Sequence, residues 1–207
     1  MDKEEWIAQL GSSDAAMRLQ GAAAIFAEAW RLSAPVLDRW TQDREFASLL
    51  LHHEVDGRPL RATAGVAVTR QNFANIRDAN GSPRLADVPP DQDAEEFELH
   101  FAPVRSIADV STLGPIHLDI LTTKNAGGQG AIANFLRKFG EGIQQVEFEV
   151  EDIDRATRIL DERFSQRAIY PQTRAGADGT RVNFFLANCC VGRKLLVELV
   201  EPKGNSG

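Results

Sequence analysis

Five short stretches of this chain carry, on alternating positions, side chains that can bind a metal ion or move a proton. Glu96, Glu98 and His100 alternate with Phe97, Leu99 and Phe101, and His117 and Asp119 alternate with Leu118 and Ile120. Further on, Gln145, Glu147 and Glu149 alternate with Val146, Phe148 and Val150, and Arg181, Asn183 and Phe185 with Val182, Phe184 and Leu186. Successive side chains of a strand point to opposite faces, so each stretch reads as a strand with one apolar face and one face holding chemistry. The fifth stretch, Leu195–Val200, is apolar on both sides and carries one carboxylate, Glu198, in its middle. A buried carboxylate is costly unless it is paired or bound to a cation, so Glu198 needs a partner. A divalent ion is one answer and Arg181 another. The bland alternative is an open sheet with a solvated polar face, against which the scarcity of Lys on these faces weighs.

The elements that must hold these strands repeat. Strand Thr63–Val68 leads to a capped helix through Phe73 and Ile76, then to strands Glu95–Phe101 and Pro115–Leu121. Strand Gln145–Val150 leads to helix Asp152–Phe164, then to strands Gly179–Ala187 and Lys194–Val200. Val68 precedes Ile120 by 52 residues and Val150 precedes Val200 by 50, so the two copies have nearly equal span. Two such units can pair around one cavity. Lys124–Gly130 is a glycine-rich connection into a short helix, Ala131–Phe139, which Gly140 and Gly142 end.

The first 57 residues read as a helical extension. Ser13 and Asp14 offer an N-cap, and Met17, Leu19, Ala22, Ile25, Phe26, Ala29 and Trp30 form a broad apolar stripe. Pro35 fits the first turn of a second helix carrying Val36, Leu37 and Trp40, with Phe46, Leu49 and Leu50 beyond. The turn-like Val55–Pro59 marks a boundary. The expected organisation is an extension over 1–57 and a domain over 58–203: module one 60–122, linker helix 123–142, module two 143–203.

Composition narrows the partners. Basic residues number 23 against 30 acidic, a net charge of −7 with no dense basic run, which argues against nucleic acid. No stretch approaches the 18 or so consecutive apolar residues that a membrane span needs. The acidic start, Met1–Trp6, has no apolar signal core, and Cys189 and Cys190, adjacent and poorly placed for a structural disulfide, read as free thiols. A cytoplasmic location is expected.

From Gly130 to Pro202 the chain resembles methylmalonyl-CoA epimerase and its relatives in the vicinal oxygen chelate (glyoxalase-like) superfamily. The matching pieces are Ala131–Ile143, strand Gln145–Val150 with Asp152-Ile153-Asp154 opening its helix, Gly179–Phe184, and Leu195–Pro202. The first copy matches in outline. The resemblance implies an α+β fold of two paired βαβββ modules forming a cupped half-barrel sheet, usually in a homodimer. It also implies a divalent ion on the concave face, chelating two substrate oxygens. Carried over by position, the family's four ligands fall on Thr63, Asp119, Gln145 and Glu198, of which Glu198 matches the family's glutamate directly. Gln145 and Thr63 stand where the family has histidines. His117, on the face of Asp119, is a further candidate ligand. An all-oxygen set favours Mg, Mn or Ca, whereas Zn, Co and Ni would lose their preferred nitrogen donors.

Two functions follow. One is an enzyme of epimerase or isomerase type that moves a proton next to a carbonyl. In it Glu198 and Asp119 hold the ion, Glu147, Glu98 or His100 supplies acid–base groups, and Asn183, Arg181 and Thr63 bind a small-molecule substrate such as an acyl-CoA. The other is a metal-free binding or resistance protein of the same fold. The missing histidines favour binding, the retained carboxylates favour catalysis.

Overall fold

The computed structural model describes residues 3–51, 62–102, 115–189 and 194–204. The expected boundary turn at 55–59 and Cys190 lie outside the described residues; Cys189 is a free thiol. In chain order the elements are helices α1 (Lys3–Leu10), α2 (Ala15–Trp40) and α3 (Arg44–Leu49), strand β1 (Ala62–Ala67), helix α4 (Arg70–Ala79) and strands β2 (Glu95–Phe101) and β3 (Ile116–Thr122). Helix α5 (Ala131–Phe139), strand β4 (Gly142–Glu149), helix α6 (Ile153–Phe164) and strands β5 (Arg174–Ala175), β6 (Arg181–Asn188) and β7 (Lys194–Glu201) follow. The fold class is α+β, as expected, with helices at the N-terminus.

Two compact units divide the chain: Met1–Ala29 with Thr63–Gln144, and Trp30–Ala62 with Gln145–Gly207. Each unit therefore takes in part of the N-terminal helices. Helix α2 corrects one expectation, because it runs unbroken through Pro35 and no new helix starts there. An interior proline costs about 3 kcal/mol in lost backbone bonding and steric conflict. The flanking residues offset that cost by burial, since Leu32, Ser33, Val36, Leu37 and Trp40 are all buried.

In the first unit β3 is central, antiparallel to β2 and parallel to β1. Thr69 caps α4 by accepting the Asn72 N–H, and α4 turns Phe73 and Ile76 onto the strands. The Phe73 and Phe97 rings meet edge-to-face at 4.8 Å, above buried Val66, Leu118 and Ile120. The segment 81–94 contains no strand. Pro83, Pro89 and Pro90 withhold three backbone donors there, and the Ala86 N–H reaches the Glu96 carbonyl at 2.9 Å.

In the second unit the strand order is β4-β7-β6-β5, with β4 parallel to β7 and the others antiparallel. Asp152 caps α6, whose Ile153, Ala156, Ile159 and Leu160 are buried against the sheet. Trp40, 1% exposed, packs edge-on against both Phe46 and Phe185, at 5.7 and 5.9 Å. The N-terminal chain is also stitched to this unit by backbone bonds: the Leu51 N–H donates to the Glu149 carbonyl and the Glu151 N–H to the Leu49 carbonyl. Asp43 caps α3 and pairs with Arg163, while Glu45 pairs with Arg155 and Arg163. Hydrogen bonding by those guanidinium groups lowers both carboxyls below their ordinary values.

Candidate functional site

Register decides which polar side chains share a face, because residues directly opposite on neighbouring strands point the same way. In the first unit Thr63 stands opposite His117, which stands opposite His100; Gly65 stands opposite Asp119, which stands opposite Glu98. Thr63, His117, Asp119, Glu98 and His100 therefore lie on one face, which for the last four is the face that alternation assigns them. Phe97, Leu99, Leu118 and Ile120 fill the other. The His100 ring and the Glu98 carboxylate are 2.7 Å apart, and the His100 and His117 rings lie edge-on at 4.6 Å. This is an exposed imidazole–carboxylate dyad with a second imidazole against it.

The second unit is built differently. Glu147 stands opposite Glu198, and Gln145 opposite Leu196. Gln145 and Glu198 are 8% and 7% exposed. The Gln145 Nε2 donates to Glu198 Oε2 at 2.5 Å and to Glu147 Oε1 at 3.0 Å. One amide thus serves two carboxylates on neighbouring strands, and it answers the partner question posed by Glu198. Hydrogen bonds to ionised groups are among the stronger ones, so the amide holds both carboxylates in place.

Arg181 is not that partner, and neither Arg181 nor Asn183 joins the face that alternation assigned to them. Asn183 stands opposite Leu199 and Phe185 opposite Val197, whereas Phe184 stands opposite Glu198. The helix-covered side of β6 is therefore the side of Arg181, Asn183 and Phe185. Arg181 pairs there with Glu201 at 3.0 Å and with Asp154 of α6 at 2.5 Å, bonds that raise its pKa further. Asn183 is 1% exposed, accepts the Phe184 N–H, and leaves its Nδ2 without a hydrogen-bond partner. The phase was ambiguous because β6 is apolar on both sides. The visible cue was Phe185, the bulkiest apolar group on the side also holding Arg181 and Asn183, and it occupies the core at 0% exposure.

Within neither unit do the expected ligand positions by themselves make up a group of three acids or histidines. Thr63, His117 and Asp119 share the first unit's face, and Gln145 and Glu198 the second's. Among the described residues no three His, Cys, Asp or Glu side chains come together in a group that would hold a metal. Gln145 turns its N–H groups toward both carboxylates.

No protein-family model matches the chain, and no curated protein sequence matches it. Solved structures do. A variant of Streptomyces coelicolor methylmalonyl-CoA epimerase in complex with 2-nitronate-propionyl-CoA is similar with a TM-score of 0.52 at 22% identity, over 69% of this chain and 96% of that one. A methylmalonyl-CoA epimerase in complex with methylmalonyl-CoA and ammonium gives 0.52 at 23% identity, over 69% and 93%. A hypothetical protein from Bacillus halodurans gives 0.50 at 22% identity, over 70% and 95%. Among the described residues no helix is long and apolar enough to cross a membrane. The likenesses show a fold shared with the solved methylmalonyl-CoA epimerases.

Proposed function

We propose that this chain is an epimerase-like or isomerase-like enzyme that removes and returns a proton on the carbon next to a carbonyl, acting on an acyl-CoA thioester. The observation that carries the reading is Glu198: a carboxylate 7% exposed in an otherwise apolar strand, held by the Gln145 amide at 2.5 Å. A carboxylate so shielded from water is a better proton acceptor toward a carbon acid than a solvated one. Glu147, which shares the same amide, is the neighbouring carboxylate that completes the second unit's acid–base group. Glu98 and His100 are proposed as acid–base groups of the first unit, with Thr63 beside them for substrate contact. The acyl-CoA class rests on the two epimerase complexes above, and a cytoplasmic homodimer accompanies the reading.

The test is deuterium exchange into the α-position of methylmalonyl-CoA, followed by NMR in heavy water. Wild-type protein is expected to catalyse it, and Glu198→Gln to slow it about 10²- to 10⁴-fold, the usual contribution of a positioned acid–base group. Dialysis against a chelator is expected to leave the rate unchanged; a loss restored by added Mn or Co would bring a metal back into the mechanism. No catalysed exchange at all would end the enzyme reading.

The second reading, a small-molecule binding or resistance protein, is favoured by one observation: the Gln145 amide satisfies both carboxylates with no ligand involved. Thioester binding without exchange would select it.

A further inference from the structure

The face that carries Glu198 is not polar throughout. Across β4, β7 and β6 one row reads Glu147, Glu198, Phe184, and the next reads Gln145, Leu196, Leu186. Arg174 of β5 stands opposite Val182, which shares the side of Phe184. Each row thus runs from a carboxylate or amide on β4 to a large apolar side chain on β6.

Phe184 is half-buried and Leu186 is 44% exposed, directly beside a carboxylate that is 7% exposed. The Tyr170 ring stands edge-on to Phe184 at 6.0 Å, and the Arg174 guanidinium lies over Tyr170 at 4.7 Å. The Ile169 N–H donates to the Phe184 carbonyl at 2.7 Å, and Gln166 Nε2 to the Leu186 carbonyl at 3.3 Å. The segment bearing Tyr170 is therefore fastened to β6, and the aromatic pair is a fixed surface. Surface leucines are unremarkable singly; a ring and a leucine two positions apart, on one face with a shielded base, form a wall.

Directly opposed side chains on neighbouring strands lie about 5 Å apart. A carbon whose proton points at Glu198 would carry its substituent onto Phe184 within one or two bonds. A methyl group would leave most of that wall in water, whereas a ring or branched chain would cover it.

We infer that Phe184 and Leu186 are specificity-determining residues of the Glu198 site, selecting acyl thioesters whose α-carbon bears an aromatic ring or branched alkyl group over those bearing hydrogen or methyl. This rests on the proposed proton transfer at Glu198 for its location, and on register for its residues. Tyr170, with Arg174 over its ring, positions Phe184.

The experiment measures binding of phenylacetyl-CoA, isovaleryl-CoA and acetyl-CoA by calorimetry to the full chain, to Phe184→Ala and to Leu186→Ala. The wild type is expected to prefer phenylacetyl-CoA to acetyl-CoA by roughly tenfold to a hundredfold, the range that added apolar contact in a pocket supplies. Both substitutions are expected to lower phenylacetyl-CoA affinity more than acetyl-CoA affinity. Leu186, being exposed, keeps the test sound if Phe184→Ala fails to fold. Equal affinities in the wild type, no binding of any thioester, or a preference untouched by either substitution would each overturn the inference. So would an unchanged preference with a changed molecular mass by light scattering in Leu186→Ala, which would assign the wall to a second copy. A preserved preference without α-proton exchange removes the enzyme reading and leaves the wall; exchange without preference does the reverse.

Discussion

On the polar face of the first unit the Glu98 and His100 side chains are 59% and 52% exposed, while on that of the second Glu198 is 7% exposed. Both faces arise from the same strand–helix–strand pattern with carboxylates at alternating positions. Water reaches the Glu98 and His100 side chains of the first face, which also meet each other at 2.7 Å. On the second face Glu198 is shielded, so it requires a built partner, and Gln145 is it. The comparison teaches that a duplicated backbone does not impose duplicated chemistry; shielding does the sorting. The apolar sides diverge as well. The first unit closes its core with Phe73 on Phe97, and the second imports Trp40 from the N-terminal chain.

The strongest way to break this contrast is to empty each core in turn. Trp40→Ala and Phe97→Ala are each expected to cost about 3–5 kcal/mol in denaturant titrations. Amide hydrogen exchange should then quicken first in β6 and β7 for Trp40→Ala, and first in β2 and β3 for Phe97→Ala. The same amides responding to both would show that the two cores are not separate. A smaller effect is expected at Gly21, where α2 crosses α1 within the first unit. A Cβ there would come within 2.7 Å of the Trp6 carbonyl oxygen and 2.8 Å of the Gln9 Cβ. Gly21→Ala should therefore destabilise by about 1–2 kcal/mol, overpacking outweighing the better helix propensity of alanine. A gain in stability would mean the two helices separate easily.

The smallest effect sharpens the contrast by pH. Asp43 and Glu45 are held below their ordinary values of 3.8 and 4.5, chiefly by hydrogen bonds from Arg163 and Arg155 respectively. Carboxyls lowered in the folded state contribute stability above those ordinary values and lose it as the pH falls through the lower folded ones. Arg163→Ala should lower the unfolding midpoint slightly at pH 7, and the difference should fade as the pH falls below those ordinary values. A penalty that persists unchanged at pH 2 would mean that Arg163 acts by packing.

Much of this was legible from residue order. Strict alternation named the strands, and in β2 and β3 it also named their faces, because Phe97, Leu99, Leu118 and Ile120 are apolar against unbroken polar neighbours. It failed in β6, where Phe185 competes with Val182, Phe184 and Leu186, and a strand apolar on both sides has no preferred phase in isolation. Pro35 misled in the same way: a local rule places proline at a helix start, and buried neighbours on both sides overrode it. The Gln145 amide was visible only as a departure from the family's histidine. Its role depends on β4 lying parallel beside β7, a pairing of residues about 50 positions apart that no local pattern encodes.

Trp40 and Phe185 meet in the folded protein but are made far apart in time. At ordinary translation speeds of roughly 5–20 residues per second, the interval between them is on the order of ten seconds. For that long the C-terminal half of α2 has no sheet to rest on, and its apolar stripe must be kept from aggregating. The core of this unit therefore closes only after β6 has been made.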